Sequence, residues 1–472
     1  MKRRTRREFL GDVGRGMLIA GMGPTLASEL GILLAHDDSD PSALTFGPLE
    51  PLVSAMQGTP VEQLQPLLAR KLRHGTDLKT LVAAGALANA RSFGGEDYVG
   101  YHALMALMPA YEMSQQLPAA KRALPVFKVL YRNTARIQAS GMGKRPTLRP
   151  VDSNTIPKGT VTAEQLLQQV RKRDLAASEG SFARIAQGKP IQAYNALQPL
   201  IQDDIEVHRV VLAWRAWDLL KLTGYEHAHT MLRQAVHFCV QGKTRDPKVR
   251  KVLPRLLDEY KLLSRAPGQR EAEDRWIEEL AYQVFASSRE RAAEAVAASL
   301  AEGFSAHSVG EALSLASTLL LLHDPGRRRS APGRPVGSVH GASVGVHASD
   351  SAHAWRHIAQ VSDHRNAVAS LIVGAYHTAG QKHHVRDEPF PYMEQLPEVQ
   401  KNTDGKTLLK KLEGAIQSND QAQACVLVHQ YGTLRQPPEP LFALLLRFAV
   451  SEDGALHAEK YYRTVNQEFP TT

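Results

Sequence analysis

The sequence predicts an all-α protein, either a helical superhelix or a layered bundle of antiparallel helix pairs. Apolar residues recur at i, i+3 and i+4 through most of the chain, and recognisable start and stop signals bracket those stretches. Period-two runs rich in β-branched residues are nearly missing, so a parallel sheet has no strands to build it. The chain has 472 residues, 43% of them hydrophobic and 22% charged, which is ordinary globular usage and long enough for a large core.

Reading from the start, Thr5-Arg6-Arg7-Glu8-Phe9-Leu10 precedes a weakly apolar run from Val13 to Leu26 diluted by Gly14, Gly16, Gly21 and Gly23. Paired arginines, Phe-Leu directly after them and a glycine-diluted apolar stretch are the parts of a twin-arginine signal peptide, with cleavage expected after Ala27. The expectation is a folded cargo of the twin-arginine export machinery, periplasmic or secreted, and that route raises the prospect of a cofactor inserted before export. No later stretch reaches the ~18 apolar residues of a membrane span, so none is expected in the mature protein. Of the net charge of +9, residues 1–27 carry +4 and the remainder +5. That excess forms no basic stripe interleaved with aromatics, so no nucleic-acid partner is expected.

The body divides into an N-terminal helical region (28–150), a central one (151–322) and a His-rich loop with C-terminal helices (323–472), read as one continuous mature domain. Thr59-Pro60-Val61-Glu62 reads as a capping box opening a helix that Gly75 closes, with Thr76 capping the next. Helices are then expected near 77–92, 99–116, 119–139, 162–178, 180–187, 191–199, 203–222, 224–240, 246–264, 270–286, 288–301, 307–322, 351–361, 363–379, 405–417, 419–430, 438–449 and 453–468. Gly141–Gly159 and Asp324–Val346 lack periodicity and read as long loops, places where function concentrates.

Cys239 and Cys425 cannot make a disulfide framework, a four-thiolate zinc site or an iron–sulfur cluster, and no C-x-x-C-H offers covalent haem. Chemistry is left to histidine, carboxylate and hydroxyl. Nine of the nineteen histidines fall in the 62 residues from His323 to His384. Within that crowd the small-residue loop Val339–Asp350 lets His340, His347 and Asp350 converge, the two-imidazole, one-carboxylate set of open non-haem iron sites and, with further histidine, of zinc. Iron or zinc is therefore the expected cofactor. The other reading of Asp350 is a cap on a helix starting at Ser351. His353 and His357 stand four apart and share a helix face, but Ala354 follows His353 where H-E-x-x-H has glutamate, so a satisfied pair is expected there.

His102, in an otherwise apolar helix, His229, spaced with His237 for one face, and His457 are candidates for a further ligand or a proton-transfer group. Each taken singly also reads as packing. Gly341-Ala342-Ser343-Val344-Gly345 matches G-x-S-x-G, but no hydrophobic strand precedes it, so a Ser343 hydrolase is the weakest-supported class. No Walker loop or dinucleotide fingerprint occurs, so nucleotide binding is not expected.

Several phrases resemble a family of secreted bacterial proteins that have twin-arginine leaders and no assigned activity. They are Tyr98-Val99-Gly100-Tyr101-His102, Leu124-Pro125-Val126-Phe127-Lys128, Val339-His340-Gly341 through Asp350-Ser351-Ala352, Arg365-Asn366-Ala367-Val368-Ala369-Ser370, and Leu456-His457-Ala458-Glu459-Lys460-Tyr461-Tyr462. Tyr101–Ala106 and Val346-His347-Ala348 are also similar to segments of questin-oxidase-like proteins, which implies oxygen insertion beside a ketone in an aromatic substrate. The functional expectation is an exported protein with a His/Asp metal or catalytic centre and a redox or oxygen-using role on a small molecule. The rival is a non-enzymatic helical scaffold or binding module with structural histidines.

Overall fold

The computed structural model describes residues 43–141, 145–332, 334–338, 344–382, 385–401, 404–451 and 456–469. It is 74% helical, and among the described residues extended pairing is confined to isolated bridges at Arg270–Phe304 and Ala331–Arg334. The all-α expectation is therefore met. The twin-arginine stretch, His340 and Ser343 lie outside the described residues.

The chain forms two compact units, one running to Leu200 and resuming over Leu212–Lys243, the other comprising Ile201–Val211 and the chain from Thr244. In order, the helices of the N-terminal part are α1 (Glu50–Gly58), α2 (Val61–Arg73), α3 (Leu78–Phe93), α4 (Tyr98–Gln115), α5 (Ala123–Ser140), α6 (Ala163–Arg171), α7 (Leu175–Ile185) and α8 (Pro190–Gln202). There follow α9 (Val207–Asp218), α10 (Leu220–Thr223) and α11 (Ala228–Gln241). The predicted Thr59 capping box does not form. Thr59 instead ends α1, its backbone N–H bonding Ala55 O, and α2 is closed from outside by Gln138, whose Oε1 accepts from Val61 N. Likewise Asp77 rather than Thr76 caps α3, accepting from Thr80 N at 2.7 Å.

In the first unit α3 packs against α1, α4 and α5. Leu81, Leu87, Leu104, Leu107, Val126 and Leu130 between them are fully buried, each side chain contributing about 1.5–3 kcal/mol by leaving water. The approach is close enough that a Cβ at Gly85 would sit 2.3 Å from Leu130 Cδ2. Two buried amides finish this interface: Asn89 Nδ2 donates to Gly100 O and to Asn133 Oδ1, and Asn133 Nδ2 donates to Gly85 O.

The second unit continues with α12 (Val249–Glu259), α13 (Asp274–Ala286), α14 (Arg289–Ala301), α15 (Ala306–Leu322), α16 (Val344–Val361) and α17 (His364–Ala379). Then come α18 (Leu396–Gln400), α19 (Gly405–Ser418), α20 (Gln421–Thr433), α21 (Pro438–Ser451) and α22 (His457–Glu468). Helix α15 packs on α13 and α16, α17 packs on α14 and α16, and α22 packs on both α16 and α21. Trp355, Ile358, Leu371 and Val373 form the fully buried heart of these layers. A separate apolar cluster joins α18 to α21 through Leu396, Leu408, Leu412, Leu427 and Leu441.

The expected loop reaching Val346 is overturned in its last part, because helix α16 begins at Val344. Glycine, alanine and serine suggested a flexible segment. In the fold Ala348, Ser351 and Ala352 are buried at a packed face, where small side chains let neighbouring helices close in and tertiary contact outweighs weak local propensity. Asp350 consequently sits inside the helix, so its role as a cap at Ser351 is also overturned.

Candidate functional site

In the second unit, helices α16 and α22 run side by side in the same direction. His347 meets His457, Asp350 meets Lys460, His353 meets Gln467 and Arg356 meets Glu468, so contacts advance together along both helices. A narrow crevice lies in this seam, lined by Val346, Asp350, His457, Lys460, Tyr461 and Thr464 and packed too closely to admit a water-sized sphere. Helical spacing explains the lining: positions 346 and 350 of α16, and 457, 460, 461 and 464 of α22, each fall on one face.

Two of the six residues singled out from sequence, Asp350 and His457, line the crevice, and His347 stands beside it. The His457 ring meets the His347 ring edge-on, centroids 5.8 Å apart. Asp350 Oδ2 lies 3.7 Å from Lys460 Nζ, with both side chains largely out of water. An ammonium so close balances the Asp350 charge, for which the sequence offered a metal or a helix cap as partner. On its other side His347 meets His208, which sequence reasoning missed, at 5.7 Å. His208 Nδ1 lies 2.7 Å from Glu206 Oε1, and Glu206 Oε2 accepts from Arg209 N at the start of α9. Burial pushes the Glu206 carboxyl up, but the hydrogen bond from His208 and its charge, with Arg209 N, outweigh it and hold Glu206 below its usual value. His377 takes a hydrogen bond from Trp355 Nε1 on Nδ1, and burial pulls its pKa down to about 4, so it is neutral at physiological pH.

One or two turns further along the seam, His353, His357 and Glu468 bring one ligand-type atom each within 4.8 Å of one another. Arg356, itself buried, ion-pairs with Glu468 and with Glu311 of α15. No spacing rule in the sequence links Glu468 to the histidine pair.

His102 and His229 belong to the first unit. His102 is buried in α4, stacked on Tyr101 and edge-on to Tyr98. His229 lies parallel to the Phe182 ring on α7, and burial followed by the nearby Arg233 pulls its pKa to about 4. Two turns on, His237 is clamped between two carboxylates, with Nδ1 2.7 Å from Glu96 Oε1 and Nε2 2.5 Å from Glu179 Oε1. The turn carrying Glu96 needs glycine: Gly95 has φ +82°, and a Cβ there would lie 2.4 Å from Gln234 O. Sequence spacing suggested the His229 and His237 face; the carboxylates come from distant segments and left no trace in it.

No known family, curated protein or solved structure matches the chain. Among the described residues no helix is long and apolar enough to cross a membrane.

Proposed function

We propose that the chain is an exported helical protein whose second unit carries a histidine-based reaction centre in the α16–α22 crevice, with a redox or oxygen-using role. The observation that carries this reading is the ring-to-ring run of His208, His347 and His457, drawn from stretches more than 100 residues apart and flanking the Asp350–Lys460 pair. Imidazoles take and give protons near neutral pH, and an ammonium beside them orients an oxygen that gains negative charge. In this reading His347 and His457 move protons, His208 is steadied by Glu206, and Lys460 holds the substrate oxygen. The leader pattern supports export, and the questin-oxidase likeness supports a ketone-bearing aromatic substrate.

The test is oxygen uptake by the purified protein with iron(II) and a panel of small aromatic ketones. Wild type should consume oxygen with at least one of them, and His347→Ala and His457→Ala should lose roughly 100-fold or more, the share a positioned acid–base group supplies. Uptake unchanged in both variants refutes the assignment. The ion pairing of Asp350 by Lys460 favours a second reading, a non-enzymatic scaffold with structural histidines, and uptake with no panel member decides for it.

A further inference from the structure

We propose that His353 and His357 of α16, with Glu468 of α22, bind one divalent transition-metal ion, zinc or iron(II). This goes beyond the crevice reading and does not rest on it. The three residues occupy a different stretch of the seam, since His353 lies six residues, or about 9 Å of helix rise, beyond His347.

The argument begins with spacing. Residues four apart on a helix share a face, and here the two rings turn their Nε2 atoms toward each other at 3.0 Å. Two nitrogens each about 2.1 Å from one ion, at angles between 90° and the tetrahedral value, are about 3.0–3.4 Å apart. The pair is therefore already set as neighbouring ligands of a single ion. Gln467 Oε1 lies 2.9 Å from His353 Nε2, again the separation of adjacent donors, and offers a fourth, oxygen ligand.

The tautomer of His357 agrees with this arrangement. His357 Nδ1 lies 2.9 Å from Gln360 Oε1. An amide oxygen only accepts, so Nδ1 carries the hydrogen and Nε2 the lone pair. That is the tautomer a metal-bound histidine takes when an outer partner holds its other nitrogen. Without an ion, His353 must place its single proton on Nε2 and share it between Gln467 Oε1 and His357 Nε2. With an ion at that point His353 moves the proton to Nδ1, and every facing atom becomes a donor to one cation. Arg356 is shared between Glu311 and Glu468, so two carboxylates face one guanidinium and a negative charge is left over to meet a cation. Arg356, anchored by Glu311, ion-pairs with Glu468 Oε2 and fixes the position of the carboxylate. Two imidazoles and one carboxylate leave positions open on the ion for water or substrate.

The experiment titrates the chelator-treated full chain with cobalt(II), read by its visible absorption, and with zinc, read by calorimetry. One equivalent should bind, with visible bands of nitrogen and oxygen ligation. His353→Gln and His357→Ala should each weaken binding roughly 100-fold, while His347→Ala leaves it unchanged. His357 is partly exposed, so its variant tests the site even where His353→Gln fails to fold. Absence of binding to wild type, binding that survives His357→Ala, or binding lost in His347→Ala would each overturn the site. The crevice reading is judged separately by oxygen uptake in His347→Ala and His457→Ala.

Discussion

Replacing His237 by leucine should remove a pH-dependent part of the first unit's stability. Burial works against charge on this ring, yet hydrogen bonds to Glu179 and Glu96, with their charges, outweigh it and raise the His237 pKa above its ordinary 6.5. Glu179 is the mirror case: burial pushes its carboxyl up, but His237 and then Arg233 pull it below its ordinary 4.5. A raised histidine pKa adds stability that is complete below the unfolded value and is lost as pH rises through the folded one. A lowered carboxyl pKa adds stability present above its unfolded value and lost as pH falls through the folded one. The clamp therefore contributes most between about pH 4.5 and 6.5. Hydrogen bonds to charged groups contribute about 1.5–3 kcal/mol each. Glu96 and Glu179 keep about a quarter and a fifth of their surface in water and rehydrate in part once the ring is gone. The loss should therefore be about 2–4 kcal/mol at pH 6, or about 5–10 °C in melting temperature for a unit of this size. At pH 9 a neutral ring donates to only one carboxylate, and the difference should shrink by half or more. Calorimetric melting of wild type and His237→Leu from pH 5 to pH 9 measures this directly. A difference that stays constant, or grows toward pH 9, would show that the ring is not charged and the clamp is ordinary packing.

Two further substitutions probe the two units. Gly95→Ala forces a Cβ into a left-handed backbone and to 2.4 Å from Gln234 O; the strain should cost about 2 kcal/mol or more, seen as a lowered denaturant midpoint with an unchanged slope. Trp355→Ala empties a fully buried site and removes the donor to His377 Nδ1; it should cost about 3–5 kcal/mol, read by chemical denaturation of the full chain.

What was legible in the sequence was mostly local. Asp363 capping α17 through Asn366 N, and Gly94 closing α3 at φ +55°, follow from residue types at their positions. The expected 162–178 helix breaks because Arg173 takes φ +59°, a turn signal usually given by glycine, and Asp174 then caps α7. The expected helix from 203 starts only at Val207, since Glu206 caps it, and Asp204 instead accepts from the backbone N–H groups of Arg245 and Asp246. Histidine crowding directed attention to His347 and Asp350, and His457 was a candidate on its own helix. Lys460, His208 and Glu468 join them only through tertiary packing, which no local pattern encodes.

The α16–α22 seam shows why its polar residues fall where they do. Positions 346, 350, 353 and 357 of α16 cover eleven residue steps, and 457, 460, 464 and 468 of α22 cover eleven as well. Eleven residues at 3.6 per turn come within about 20° of three whole turns, so neither stripe drifts off the shared face. Burying such groups costs several kcal/mol unless each finds a partner. Along this seam Asp350 meets Lys460, His353 meets His357 and Gln467, and Arg356 meets Glu468 and Glu311. An apolar stripe would hold the two helices together with less to satisfy. The seam's polar content is thus more than helix packing requires, and both the proposed reaction centre and the proposed metal site draw on that surplus.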